Sequence, residues 1–372
     1  MINNRRSRTA AASLLAGSLA LVMAGCSSNT TGSSSTSTSG SGSTSGGAAS
    51  AKVAFLMPDH GSTRYEEHDR PGFVAELKKV CAGCTVLYNN ADGDASKQQQ
   101  QFSSAVTEGV KAIVIDAVDT SAAASLVQQA QSQGIKVVAY DRPIPSMKAD
   151  FYVSFDNEKI GSLIAASLVK HMADIGVSPA KGGVLEVNGS PTDAAAGLIK
   201  KGIHEGLATG KYKTLAEYDV PDWTPAKAQS WVAGQITRFG NKILGVAAAN
   251  DGTAGGAIAA FKASGVNPVP PVSGNDAIDA GLQYIISGDQ YNTISKPSEV
   301  PAGAAADAVW AMLQGKTPNA TATLFNTPSQ LFVPVVVTRD NIKAEIFDKG
   351  IAKASTICTG AYAAGCKKLG IS

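Results

Sequence analysis

Residues 112–142 read AIVIDAVDTSAAASLVQQAQSQGIKVVAYDR. The apolar run Ala112–Ile115 is the length of a buried strand. Ala122–Gln133 carries its apolar residues at helical spacing, and Val137–Tyr140 is again a short apolar run. Strand, helix, strand in this order predicts a βαβ unit, with parallel strands and the helix packed across one face. Each strand gives way to a polar step: Asp116 after the first, Asp141-Arg142 after the second. In open α/β sheets ligands bind beyond the carboxyl ends of the strands, so these steps are where binding chemistry is expected.

The same alternation extends both ways. Strands are expected at Val53–Met57, Val86–Tyr88 and Tyr152–Phe155, with a helix at Gln99–Val106. The series resumes with strands at Val184–Val187, Leu215–Tyr218, Ile243–Ala248 and Val272–Gly274. Helices are expected there at Ala194–Leu207, Ala226–Phe239 and Ala257–Ser264. About nine such units exceed one sheet, so the fold class is α/β with two doubly wound parallel-sheet domains. The first begins near Lys52 and the second near Asn157.

Composition narrows the function. The chain has 372 residues, of which 44% are hydrophobic, enough for two real cores. Lys plus Arg number 32 and Asp plus Glu 30, a net charge of +2, which argues against a nucleic-acid binder. The four histidines, His60, His68, His171 and His204, are not at helical ligand spacing, so no His-built metal centre is expected. Asn90-x-Asp92-x-Asp94 imitates the start of a calcium loop, but Ala95 and Gln101 stand where Gly and Glu are needed. It is expected to be a polar loop.

The N-terminus reads as an address and a tether. Arg5, Arg6 and Arg8 precede an apolar run from Ala10 to Ala24, the order of a secretory signal. The run is short and Ala-rich for a permanent span. It ends Leu21-Val22-Met23-Ala24-Gly25-Cys26, which resembles a lipobox, where the Cys is lipidated after cleavage. An ordinary cleaved signal with a chance Cys is the plainer alternative. From Ser27 to Ala51 the chain is nearly all Ser, Thr, Gly and Ala, a flexible linker that suits a lipid anchor at Cys26. Export also permits disulfides. Four further cysteines allow three pairings, and proximity favours Cys81–Cys84 and Cys358–Cys366. A redox role for Cys81-Ala-Gly-Cys84 fits poorly, since the pair follows a helical stretch rather than opening one.

The strand ends carry mixed polar chemistry. Asp59, Asn89-Asn90, Asp116 and Asp141-Arg142 follow strands of the first domain. Asn188, Asp219, Asn250-Asp251 and Asn275-Asp276 do so in the second. A single Asp can be a helix cap, which would suffice for Asp116 or Asp219. The doublets exceed what a cap needs. Acids and bases are mixed, and neither GxxxxGK[ST] nor a GxGxxG after the first strand occurs. Such a rim suits a neutral polyol, whose neighbouring hydroxyls can take paired hydrogen bonds from Asp, Asn and Arg. Tyr65 and Trp223 sit in polar surroundings and offer faces for a sugar ring; the plainer alternative for each is a half-buried core residue.

Several longer motifs carry a family resemblance: Tyr140-Asp141-Arg142-Pro143, Phe151 to Glu158, Gly189-Ser190-Pro191-Thr192-Asp193, Asn250 to Gly256, Ser273 to Ala277, and Ser295-Lys296-Pro297. In these motifs, over about Lys52 to Ile342, the chain resembles sugar-binding proteins of ABC transporters. The likeness is to the D-xylose-binding branch of the ribose and galactose type. The resemblance implies a type I periplasmic binding protein, two domains joined by a three-strand hinge and closing on the sugar. It implies contacts from Arg64, Asp141, Arg142, Asp193, Asn250, Asp276 and Lys296, with stacking by Tyr65, where the family has Trp, and by Trp223. Hinge strands are expected near Phe155-Asp156, near Ser295-Lys296-Pro297 and between Asn326 and Val337. The chain then divides into a signal (1–25), a lipidated Cys and linker (26–51), a first domain (52–155 plus about 297–330) and a second (156–296 plus about 331–372). One departure stands out: Ala194-Ala195 replace an Asn-Asn pair whose second member binds sugar in the xylose proteins.

The expected partners are a monosaccharide, xylose or another pentose, and an ABC permease with its cytoplasmic ATPase. No cofactor, metal or nucleic acid is expected, and membrane contact only through the lipid, with the protein a monomer on the outer face of the cell membrane. Three other functions compete. A sugar sensor for a chemotaxis or signalling receptor would use the same cleft. An exported glycosidase could use paired carboxylates. A sugar-responsive repressor would need an N-terminal helix-turn-helix where this chain has a signal and tether.

Overall fold

Val53 to Met57 are all buried although successive side chains of a strand point to opposite faces, so that strand must be covered on both sides. The computed structural model, which describes residues 50–372, supplies both covers. The signal sequence, Cys26 and the tether up to residue 49 lie outside the described residues.

The strands are β1 (Lys52–Met57), β2 (Thr85–Asn90), β3 (Ala112–Ile115), β4 (Lys136–Tyr140), β5 (Phe151–Phe155), β6 (Gly183–Asn188), β7 (Lys213–Asp219), β8 (Ile243–Ala248), β9 (Asn292–Ser295), β10 (Ala322–Leu324), β11 (Thr327–Phe332) and β12 (Val335–Thr338). The main helices are α1 (Arg70–Val80), α2 (Ala95–Thr107), α3 (Ala123–Ser132), α4 (Asn157–Asp174), α5 (Ala194–Thr209), α6 (Pro225–Phe239), α7 (Asp251–Ala263), α8 (Asp279–Ser287) and α9 (Glu299–Leu313).

The first sheet has the order β10-β11-β5-β4-β3-β1-β2, parallel except for the β10–β11 hairpin. Val53, Phe55 and Met57 face α1 and α9 through Phe73, Leu77, Ala302 and Val309. Ala54 and Leu56 face α2 and α3 through Phe102, Leu126 and Val127. The second sheet repeats the pattern as β7-β6-β8. Single parallel bridges Val246–Val272 and Ser273–Asn292 carry it on to β9, which pairs antiparallel with β12. α4 and α5 cover one face and α6 and α7 the other. This is the type I periplasmic binding protein architecture.

Two elements differ from expectation. Val272–Gly274 makes only single bridges, because Pro270-Pro271 just before it have no N–H to give a ladder. The helix expected from Ala257 begins at Asp251, where Asn250 and Thr253 form a capping box and satisfy its first N–H groups. The Asn90-Asp92-Asp94 loop is occupied by its own bonds: Asp94 caps α2, and Asp92 meets Lys97 and His60.

The chain crosses between lobes three times: at Asp156 into α4, at Lys296–Ser298 into α9, and at Val333-Pro334 between β11 and β12. Phe332 lies beside Phe155 in one sheet and Val335 beside Ser295 in the other, so the crossings run side by side. Cys81 and Cys84 are joined by a disulfide at the end of α1. Cys358 and Cys366 join the tail helices α10 (Ala354–Ile357) and α11 (Ala363–Lys368), which pack on α8.

Candidate ligand-binding site

β4 ends in Tyr140, and the next residue turns sharply. Asp141 sits at φ 56°, a left-handed conformation that costs a non-glycine residue about 1 kcal/mol or more. Tyr152 Oη and Ser154 Oγ hold it there by donating to its carbonyl at 2.8 and 3.0 Å. Its carboxylate is thereby aimed at Arg64, whose Nη2 donates to Oδ2, and at Lys296 Nζ, 3.6 Å from Oδ1. Burial alone would raise this carboxyl, but Arg64, Lys296 and Arg142 outweigh it and hold it down at about 2.

Arg142 is buried and held on every side. Nη1 donates to the Ala117 carbonyl at 3.0 Å, and Nη2 reaches Tyr65 Oη and Asp59 Oδ2, each at 3.2 Å. Nε faces Asp116 Oδ1 and Asp193 Oδ2, each 3.2 Å away. Asp193 belongs to the second lobe, so this guanidinium spans the cleft. Asp116 is wholly buried. It is not a helix cap: Asp119 accepts from Ser121 and Ala122 N instead. Burial drives its carboxyl well up, against the pull of Arg142. Arg64 is positioned in a similar way. Its Nη1 donates to Asp69 Oδ1 at 2.8 Å, which also accepts from Tyr140 Oη at 2.6 Å, and its guanidinium lies over the Tyr65 ring, 4.5 Å from the centroid.

The second lobe offers helix starts and strained turns. Asp193 caps α5 through Ala195 N at 2.8 Å, leaving Oδ2 for Arg142. Burial raises its carboxyl despite Arg142. Asn250 caps α7 through Oδ1, which accepts from Thr253 N at 2.8 Å, and it lines the cleft. Asp276, at φ 103°, accepts from Asn275 Nδ2 at 2.9 Å and pairs with Lys296 at 3.2 Å. Trp223 is also left-handed, at φ 60°, and its indole lies against Gly189, where a Cβ would come within 2.0 Å of the ring. Lys296 pairs with a carboxylate from each lobe, and their pull outweighs burial and raises its pKa.

All nine residues singled out in the sequence, Arg64, Tyr65, Asp141, Arg142, Asp193, Trp223, Asn250, Asp276 and Lys296, line one cavity between the lobes. Asp59, Ser62, Asn157, Ala195, Ile199 and Asn275 complete the wall. Asn157, which opens α4, was not assigned a role from the sequence. Its place two residues beyond the end of β5 is the signal that points to it. Asp69 had no signal, because it lies behind Arg64 and not on the rim. The wall mixes Arg64, Arg142 and Lys296 with Asp59, Asp141, Asp193 and Asp276, so no single sign of charge prevails. Trp223 Nε1 and Asn275 Oδ1 are buried without a hydrogen-bond partner among the described residues, a donor and an acceptor suited to a hydroxylated guest.

Residues 53–317 match the family model described as a periplasmic binding protein domain. The chain belongs to the periplasmic binding protein family. Among its relatives in that family is the D-xylose-binding periplasmic protein of Escherichia coli K12, 34% identical over 83% of this chain and 93% of the relative. The multiple sugar-binding periplasmic receptor ChvE of Rhizobium radiobacter is 30% identical over the same shares of the two chains. A solved solute-binding protein of Clostridium phytofermentans with bound β-D-glucose superposes with a TM-score of 0.74 at 26% identity, over 82% of this chain and 99% of that one. This periplasmic binding protein therefore shares both sequence and architecture with sugar binders over nearly the whole folded part.

Proposed function

We propose that the protein is an extracytoplasmic solute-binding lipoprotein. It captures a monosaccharide, xylose or another pentose, between its lobes and delivers it to an ABC permease. The family is one of solute binders rather than enzymes. The observation that carries the reading is the cavity wall: paired hydrogen-bonding groups of mixed charge from both lobes, with Tyr65 and Trp223 as aromatic surfaces. That chemistry matches a neutral pyranose, with adjacent hydroxyls for Asp, Asn and Arg and an apolar face for a ring. The relatives named for xylose and for multiple sugars support the same class. The lipid on Cys26 would keep the protein at the outer face of the membrane, with the Ser/Thr/Gly linker as its tether.

One observation favours a second sugar. Ala195 lines the cavity where a longer amide side chain would reduce its volume, leaving room for a hexose hydroxymethyl group. Calorimetry against xylose, arabinose, ribose, glucose and galactose distinguishes these readings. A pentose as the tightest ligand supports the first reading and a hexose the second. No measurable binding of any of the five would overturn both.

A further inference from the structure

Away from the cleft, β7 is the outer edge of the second sheet, and its Glu217 lies directly beside Glu186 of β6. α5 brings His204 over the pair. His204 Nε2 is 3.0 Å from Glu186 Oε2 and 3.0 Å from Glu217 Oε2, and the three atoms all lie within 4.8 Å of one another. Glu186 is wholly buried. Its Oε1 accepts from Thr214 Oγ1, but its Oε2 has no hydrogen-bond partner among the described residues. His204 Nε2 shares its hydrogen bond with Glu217 Oε2, so Glu186 Oε2, equally close to that nitrogen, is a buried carboxylate oxygen without a hydrogen of its own, a costly arrangement that a cation would relieve.

From this geometry we propose a Zn²⁺ site made by Glu186 Oε2, His204 Nε2 and Glu217 Oε2, with water in the fourth position. One imidazole and two carboxylates are an ordinary zinc donor set, and tetrahedral donors about 2.1 Å from the metal lie about 3.4 Å from one another. The two 3.0 Å spacings from His204 Nε2 lie within about half an ångström of that value. The His204 and Glu217 side chains are 47% and 43% exposed, so an ion can enter from solvent. Lys200 is close by, but it approaches the other oxygen of Glu217, at 3.3 Å, and Asp219 at 3.0 Å. Two glutamates and Asp219 against one lysine leave the cluster acidic. The three donors come from three separate elements, which is why no short spacing marks the site in the sequence. The metal would clamp α5 to the sheet edge. Since α5 starts at Asp193, the clamp would firm up one wall of the cleft without touching the sugar.

The test is a titration of the purified protein with ZnCl₂ alone, followed by calorimetry and thermal unfolding, with CoCl₂ as a spectroscopic probe. Wild type should take up zinc stoichiometrically, unfold at a higher temperature with it, and give the visible bands of four-coordinate cobalt. His204→Ala and Glu217→Gln change exposed side chains. They should lose at least about tenfold in zinc affinity while binding sugar as wild type does. No zinc uptake by wild type would overturn the site and leave the cluster as a histidine shared by two carboxylates. Zinc uptake unchanged in both variants would overturn it as well.

Discussion

Arg142 spans the cleft because five groups converge on it, four from its own lobe and Asp193 from the other. Truncating it leaves buried carboxylates unpaired, and Asp276→Ala leaves the buried Lys296 with Asp141 as its one carboxylate partner. Each change should weaken the best sugar roughly ten- to a hundredfold by calorimetry. An unchanged affinity in Asp276→Ala would remove that residue from the site. Ala195→Asn should tighten xylose and exclude hexoses if the cavity is built for a pentose. If it is built for a hexose, that ligand weakens and xylose stays poor. Asp141 makes a pH prediction. Its carboxyl titrates at about 2 in the folded protein, against about 3.9 in an unfolded chain. Its pairing therefore stabilises the fold fully above about pH 4 and is lost as pH falls through about 2, a contribution on the order of 2–3 kcal/mol. Urea unfolding of wild type and Asp141→Asn should differ by about that much at pH 7 and converge as the pH approaches 2.

Elements place these side chains through close backbone contacts. α4 and α5 pack so tightly that a Cβ on Gly202 would come within 2.1 Å of the Glu158 carbonyl oxygen. Gly202→Ala should cost about 1–3 kcal/mol or more in chemical denaturation, because both partners are helix backbone and neither can yield. Sugar affinity should fall with it, since α5 carries Asp193 at its start. Gly189 is the more selective probe. Its missing Cβ makes room for the Trp223 indole, so Gly189→Ala should displace the ring and weaken sugar binding more than it weakens the fold. Equal losses in both measurements would mean that Trp223 is a packing residue.

At the scale of the whole molecule the lobes touch directly as well as through the three crossings. Thr120 N donates to the Thr192 carbonyl at 3.0 Å, and Thr192 Oγ1 donates to the Val118 carbonyl at 3.1 Å. Arg142–Asp193 and the pairs made by Lys296 add to these. Contacts of this kind exist together only when the cleft is shut, so a ligand that bridges both walls shifts the population toward closure. X-ray scattering should show a smaller radius of gyration with saturating sugar than without it, and an identical radius would contradict hinge closure. For the anchor, Cys26→Ser should move the protein from the detergent phase to the aqueous phase of a detergent partition. Aqueous partitioning of wild type would exclude the lipid.

Local order was legible in the chain. Strands such as Val53–Met57 and helix starts such as Ala194 follow from short apolar runs and periodicity, both set by neighbours within a few residues. The polar strand ends were legible for the same reason, because in a parallel sheet they all emerge at one edge. The roles behind that edge were not. Asp116 looked like a cap until the fold set it under Arg142, and Asp69 had no mark until Tyr140 and Arg64 met on it. The grouping of Glu186, His204 and Glu217 depends on β6 pairing with β7 under α5, and the third crossing depends on β11 lying beside β5. These contacts join residues far apart in the chain. Sheet order and lobe closure bring them together, and both are outcomes of burying the whole apolar surface at once, which no short stretch of sequence encodes.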